Sequence, residues 1–286
     1  ISGAWSLQRA HHGEQPFWMI VVLSSMLGGS GLKGQGFGFG YGAEGFIGSD
    51  YLRFPWATFP KGRNPEGFAI PVARIADMLL NPGNHVEYDG DAIEYPDIKL
   101  IYWAGGNPFH HHQDLNRLVS AWRRPDTVIV NEPWWSPIAK WADIVFPATT
   151  SLERQDICAS SHDNYAHFME RALEPHHESK SDHEIFSLLA SKLGFGERFT
   201  ENKSEMEWLK SIWQRSSSTA KSLGFELPSF DDFCSAGSYR LPDRDRKGVW
   251  LSDFRTDPMK NPMKTPSGSV SYTHLRAHET PEQLVW

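Results

Sequence analysis

Residues 105–114 of this 286-residue chain read Gly-Gly-Asn-Pro-Phe-His-His-His-Gln-Asp. Gly105 and Gly106 offer bare backbone, Asn107 an amide, and His110, His111 and His112 three imidazoles in a row. Glycines followed by Asn-Pro force a sharp turn and let backbone approach another group closely. Metal binding fails on spacing. Adjacent histidines cannot all face one ion, and no second Cys/His cluster at ligand spacing accompanies them. Two readings of these residues stand level. One is a tight strand-to-helix turn carrying surface histidines; the other is a docking edge for a phosphate-bearing cofactor.

The elements around the turn set its place. Leu100–Ala104 is apolar and short, which predicts a buried strand ending at the glycines. A helix over Gln113–Trp122, a strand Thr127–Val130, a helix Ser136–Trp141 and a strand Asp143–Phe146 follow. Strand, helix, strand, helix, strand predicts an α/β fold. Its form is a parallel nucleotide-binding-like sheet flanked by helices, with pieces of adjacent domains at both ends. In such a sheet ligands lie beyond the carboxyl ends of the strands. The second strand ends in Asn131-Glu132-Pro133, where a polar side chain commonly reaches a ribose or base, or else caps the next turn. Asp182 opens a further helix, Ser181–Leu193. By position it is a helix cap.

Other segments read less sharply. Apolar residues from Phe17 to Leu27 predict a largely buried helix stopped by Gly28 and Gly29. The run from Gly34 to Gly42 alternates glycine with aromatics. It follows a helix rather than a strand, so it is no dinucleotide fingerprint. Pro71–Leu80 predicts a helix, His85–Asp97 a turn-rich stretch, Glu205–Trp213 a short helix, and Ser216–Gly248 mostly loops. Glu14 beside its histidines has no acid–base partner and is structural.

Three stretches carry a family resemblance. Gly105 to Leu118 is the first. Ala142-Asp143-Ile144-Val145-Phe146-Pro147-Ala148-Thr149-Thr150-Ser151-Leu152-Glu153 is the second, with Phe146 where leucine is usual. Trp5-Ser6-Leu7-Gln8-Arg9 with His12-Gly13-Glu14-Gln15 is the third. Together they resemble the dimethyl sulfoxide reductase family of molybdopterin oxidoreductases, in the branch of the dimethyl sulfoxide, trimethylamine N-oxide and biotin sulfoxide reductases. The likeness runs nearly continuously from about Trp5 to about Gly268.

That resemblance implies a bis(molybdopterin guanine dinucleotide) molybdenum cofactor and an S-oxide or N-oxide substrate. It also implies an electron donor such as a cytochrome or reductase. It places Gly105, Gly106, Asn107 and His111 against one guanine dinucleotide arm, Asn131 and Glu132 on the same arm, and Asp182 on its guanine. Trp5 and Arg9 would lie near the pterin or the substrate funnel. The serine that ligates molybdenum in this branch falls outside the segment, so the segment alone is expected to be inactive. The alternatives are another molybdopterin chemistry, such as a hydroxylase or dehydrogenase, or a non-catalytic α/β nucleotide-binding module.

Composition sets outer bounds. Hydrophobic residues make up 40% and charged residues 22%, which suits a globular fold. A net charge of −7 and the lack of a basic aromatic patch argue against nucleic acid as partner. Cys158 and Cys234 are too few for a disulfide framework or a Cys-ligated cluster. The apolar stretch from Phe17 is too short to span a bilayer, which takes about 20 residues, and it lacks the basic start of an export signal. Ile1 is not an initiator, so an internal fragment is expected, and its compartment is periplasmic by resemblance, with the cytoplasm as alternative. The expected organisation is the end of one α/β cofactor domain (1–58), an α/β domain for one guanine dinucleotide arm (59–195), part of a further domain (196–268), and a non-native tail (269–286). His274 and His278 in that tail carry no metal reading.

Overall fold

The computed structural model describes residues 1–8, 10, 12–39, 52–64, 67–88, 90–242, 249–265 and 267–269. Arg9, the end of the glycine-rich run and nearly all of the expected tail lie outside these. The chain divides into two compact units. One comprises Ile1–Arg53, Ser161–Asn164 and Pro242–Trp286; the other comprises Phe54–Ser160 and Tyr165–Leu241. Residues 196–241 therefore pack with the α/β segment. The four-part division read from sequence stands as a proposal about the domains of a longer protein.

In the first unit β1 (Ser2–Gly3) pairs in parallel with β2 (Gly38–Phe39), and α1 spans Glu14–Met26. Phe39 meets Phe17 edge-on at 4.8 Å, and Phe37 meets Trp250 at 5.0 Å. The described part of the Gly-aromatic run thus uses its rings for packing. Helix α1 differs from the buried helix expected. Its apolar groups are spread around the helix rather than striped. Only Val22 and Ser24 are buried, and Met26 is 78% exposed.

The second unit starts with α2 (Ile75–Leu80) and an antiparallel hairpin, β3 (His85–Tyr88) and β4 (Asp91–Glu94). Val86, Ile93 and Tyr95 form a small core of their own where a turn-rich stretch was expected. Next come β5 (Leu100–Ala104), α3 (Pro108–His111), α4 (Leu115–Trp122), β6 (Thr127–Glu132), α5 (Pro137–Lys140) and β7 (Ile144–Pro147). The three strands form a parallel sheet in the order β5-β6-β7, as the α/β pattern predicts. Strand β6 is central, with Val130 fully buried and Val128 nearly so. Strand β5 is less buried than expected, because it forms one edge of the sheet and Leu100 is 52% exposed. The core here joins Leu79, Phe109, Leu118, Ala121, Trp122, Val128, Val130 and Ile138. The Asp143 carboxylate accepts from Val128 N–H at 2.8 Å and so fixes the start of β6.

Strands β8 (Asp156–Ala159) and β9 (Tyr165–Met169) form a second antiparallel hairpin. Helices α6 (Asp182–Lys192), α7 (Gly196–Thr200), α8 (Glu205–Ser222) and α9 (Phe230–Ala236) follow. Strand β10 (Ser238–Arg240) then returns to pair with β9. Helix α8 runs well past Trp213, and α9 and β10 occupy the region expected to be loop. Small residues made that stretch look unstructured, yet they let α8 pack closely: Ser216 is buried and accepts from Ala57 N–H at 3.0 Å. Trp213 stacks on Phe233 at 3.8 Å and, with Ala166, Leu209 and Phe230, makes the second core. Among the described residues no helix is long and apolar enough to cross a membrane.

Candidate functional site at the carboxyl edge of the parallel sheet

The pairing Ala104↔Asn131 sets the end of β5 beside the last residues of β6, and Glu132↔Pro147 does the same for β7. Beyond β5 the chain turns through Gly105 (φ +79°) and Gly106 (φ +72°). Left-handed backbone of this kind favours glycine. A Cβ added at either position would meet, beyond its chain neighbours, no atom of the described residues within 4 Å. The demand for glycine is therefore conformational, and open space lies beside this backbone.

Asn107 closes the turn. Its Oδ1 accepts from Phe109 N–H at 3.1 Å and caps α3. Its Nδ2 is buried with no partner among the described residues, in a side chain that leaves only 9% of the residue exposed. An unpaired buried donor costs roughly 1–3 kcal/mol, which marks this amide as a candidate for a further acceptor. The cap and the cofactor reading of Asn107 use different atoms.

Asn131 is 3% exposed and is held at both ends of its amide. Tyr102 Oη donates to Asn131 Oδ1 at 2.8 Å, and Asn131 Nδ2 donates to Asp182 Oδ1 at 2.8 Å. Burial pushes the Tyr102 hydroxyl pKa up, against its bond to Asn131, so it stays a donor. This relay joins β5, β6 and the start of α6. Asp182 is not the helix cap. Ser181 is, with Glu184 returning the bond to Ser181 N–H in a capping box. The Asp182 carboxylate is thus spared from holding its helix. It is exposed, and only its Oδ1 is engaged within the described chain.

Glu153 brings the approach to α6 into place. Its carboxylate accepts from Thr150 N–H at 2.7 Å, Thr150 Oγ1 at 2.8 Å and His176 N–H at 2.8 Å. The Thr150 bonds, then that of His176, hold its pKa below the ordinary glutamate value. Thr149 N–H donates to Lys180 O at 3.0 Å, and a parallel bridge joins Ala148 to Lys180. Thr149 Oγ1 and Ser179 Oγ are also buried without partners among the described residues.

The remaining predicted residues separate from this group. Glu132 spends both oxygens on its own turn, accepting from Trp134 N–H at 3.2 Å and Ser136 Oγ at 3.0 Å. His111 is exposed at the end of α3, and His112 has its pKa lowered, first by burial and then by His111. Trp5 opens a 3-10 turn in the first unit, and Arg9 lies outside the described residues. Tyr102, Trp103, Thr149 and Ser179 also belong to this edge: the first two lie in the expected strand and Thr149 in the second resemblance stretch, and none is a site candidate from sequence. Only their position beside strand ends could have flagged them. No group of three or more potential metal ligands occurs among the described residues.

A three-stranded parallel sheet with helices in its connections defines an α/β protein, a class in which ligands bind beyond the carboxyl ends of the strands. The family model "Molybdopterin oxidoreductase" matches residues 1–192, and the chain belongs to that family. It is 44% identical to a biotin sulfoxide reductase of Cereibacter sphaeroides over 94% of this chain and 36% of that protein. It is 42% identical to a trimethylamine-N-oxide reductase of Haemophilus influenzae over 94% and 35%. It is 43% identical to a dimethyl sulfoxide/trimethylamine N-oxide reductase of Rhodobacter capsulatus over 94% and 34%. The chain spans about a third of the length of these relatives.

Proposed function

We propose that this chain supplies the guanine dinucleotide end of a molybdopterin site in a reductase of S-oxides or N-oxides. The supporting observation is the relay Tyr102–Asn131–Asp182 beside the unpaired Asn107 Nδ2, all at one sheet edge with open space at Gly105 and Gly106. These groups fit a bis(molybdopterin guanine dinucleotide) cofactor. Asp182 would accept from the guanine N1–H and amine, with Asn131 holding its other side. Asn107 Nδ2 and the glycine backbone would meet the diphosphate. The family resemblance, rather than the geometry, adds His111 and Glu132 to this arm's site and assigns Trp5 and Arg9 to the pterin. When bound, the cofactor supplies the redox chemistry that removes oxygen from the substrate. What these residues do is bind and orient it. An electron donor, a cytochrome or reductase, and a periplasmic setting in anaerobic respiration complete the proposal for the longer protein.

The deciding experiment is equilibrium binding of guanosine diphosphate and adenosine diphosphate to the 286-residue chain. The expected result is preference for the guanine nucleotide, lowered roughly tenfold or more by Asp182→Asn because charge-assisted bonds are lost. The same variant should gain affinity for xanthosine diphosphate, whose ring carbonyl replaces the amine. Equal binding of both purines by the wild type would refute the guanine site. For the longer protein, oxygen transfer from a sulfoxide or an N-oxide, driven by a reduced dye, tests the activity.

A further inference from the structure

The indole of Trp103 does something that strand packing does not require. Its Nε1–H donates to Gly105 O at 2.9 Å and also to Gly106 O at 3.2 Å. These are the carbonyls of two successive peptide units. In a planar trans peptide the C=O and the following N–H point to opposite sides. Holding Gly105 O therefore aims Gly106 N–H away from the indole, and holding Gly106 O does the same for Asn107 N–H. No hydrogen bond joins either N–H to another described residue. Successive backbone N–H groups turned to one side make an anion-binding concavity. The buried, unpaired Asn107 Nδ2 is a further free donor in the same turn. The rest of the indole is fixed by packing, edge-on to Trp122 at 5.6 Å and near His112 at 6.3 Å.

We infer that Trp103 is a positioning residue that pre-organises the Gly106 and Asn107 amides for the diphosphate of a nucleotide ligand. The inference rests on the proposed nucleotide site, and it concerns the phosphates rather than the base. Trp103 touches no ligand itself. It acts through the two carbonyls it restrains, and it lowers the cost of ordering a turn that contains two glycines.

The test compares guanosine with guanosine diphosphate on the full chain, because their affinity difference isolates the phosphates. Trp103→Phe removes the N–H. A second variant replaces Trp103 by benzothienylalanine, which keeps the ring shape and its packing but puts sulfur in place of the donor. Expected for both variants is an unchanged guanosine affinity and a diphosphate advantage reduced roughly fivefold, the size of a lost neutral hydrogen bond. A benzothienylalanine variant that keeps the full advantage, or that weakens both ligands equally, overturns the role of Trp103 and leaves the nucleotide site standing. A wild-type chain that binds neither ligand removes the site itself, and the role of Trp103 with it.

Discussion

Glu153 shows how one carboxylate orders a site it does not touch. Three donors hold it in its charged form, and through Thr150 and His176 it fastens two loops whose chain then leads to Asp182. Its lowered pKa sets the sign of a pH effect. The stabilisation is present above the ordinary glutamate pKa, near 4.3. It is lost as pH falls through the lower folded value. Glu153→Gln is expected to lower the urea midpoint at neutral pH and to flatten its acid dependence below about pH 4.3. Parallel acid profiles for variant and wild type would dismiss this account. Asn107, Asn131 and Asp182 were each legible from sequence as polar residues at strand or helix ends. The bond between Asn131 and Asp182 was not, because they lie 51 positions apart and no local pattern encodes that approach. Glu132 is the opposite case: its partners, Trp134 and Ser136, are its own neighbours, as its turn-capping reading expects.

Among the elements, the parallel unit was the easiest to read. Its strands are apolar runs, and its helices carry their own starts and stops, including the Asp114 side chain that caps α4. The hairpin β8–β9 was harder, since Asp156-Ile157-Cys158-Ala159 has little apolar alternation and is fixed by its partner strand. Helix α8 was underestimated where serines replace large side chains. Two measurements check this level. Gly106→Ala should cost about 1 kcal/mol by denaturant titration, through backbone conformation alone, since a new Cβ meets nothing. Trp213→Ala should cost about 3–5 kcal/mol, because it empties the centre of the second core. A loss under 1 kcal/mol would mean that α8 and α9 are not cooperatively packed.

At the scale of the molecule, the net charge of −7 bears on how an anion is held. Among the described residues the sheet edge offers an anion free amides and a carboxamide. Diphosphate affinity should then hold steady or rise as salt goes from about 0.01 to 0.1 M, which shortens the screening length from ~30 to ~10 Å. A steep fall on calorimetric titration would point to lysine or arginine contacts instead. The antiparallel sheet has a separate consequence. Its third strand, β10, is synthesised long after β9, with four helices between them. A nascent chain must keep the free edge of β9 from pairing elsewhere until that last segment emerges. Translation stalled before Ser238 should yield a product that aggregates, and release of the full chain should rescue it.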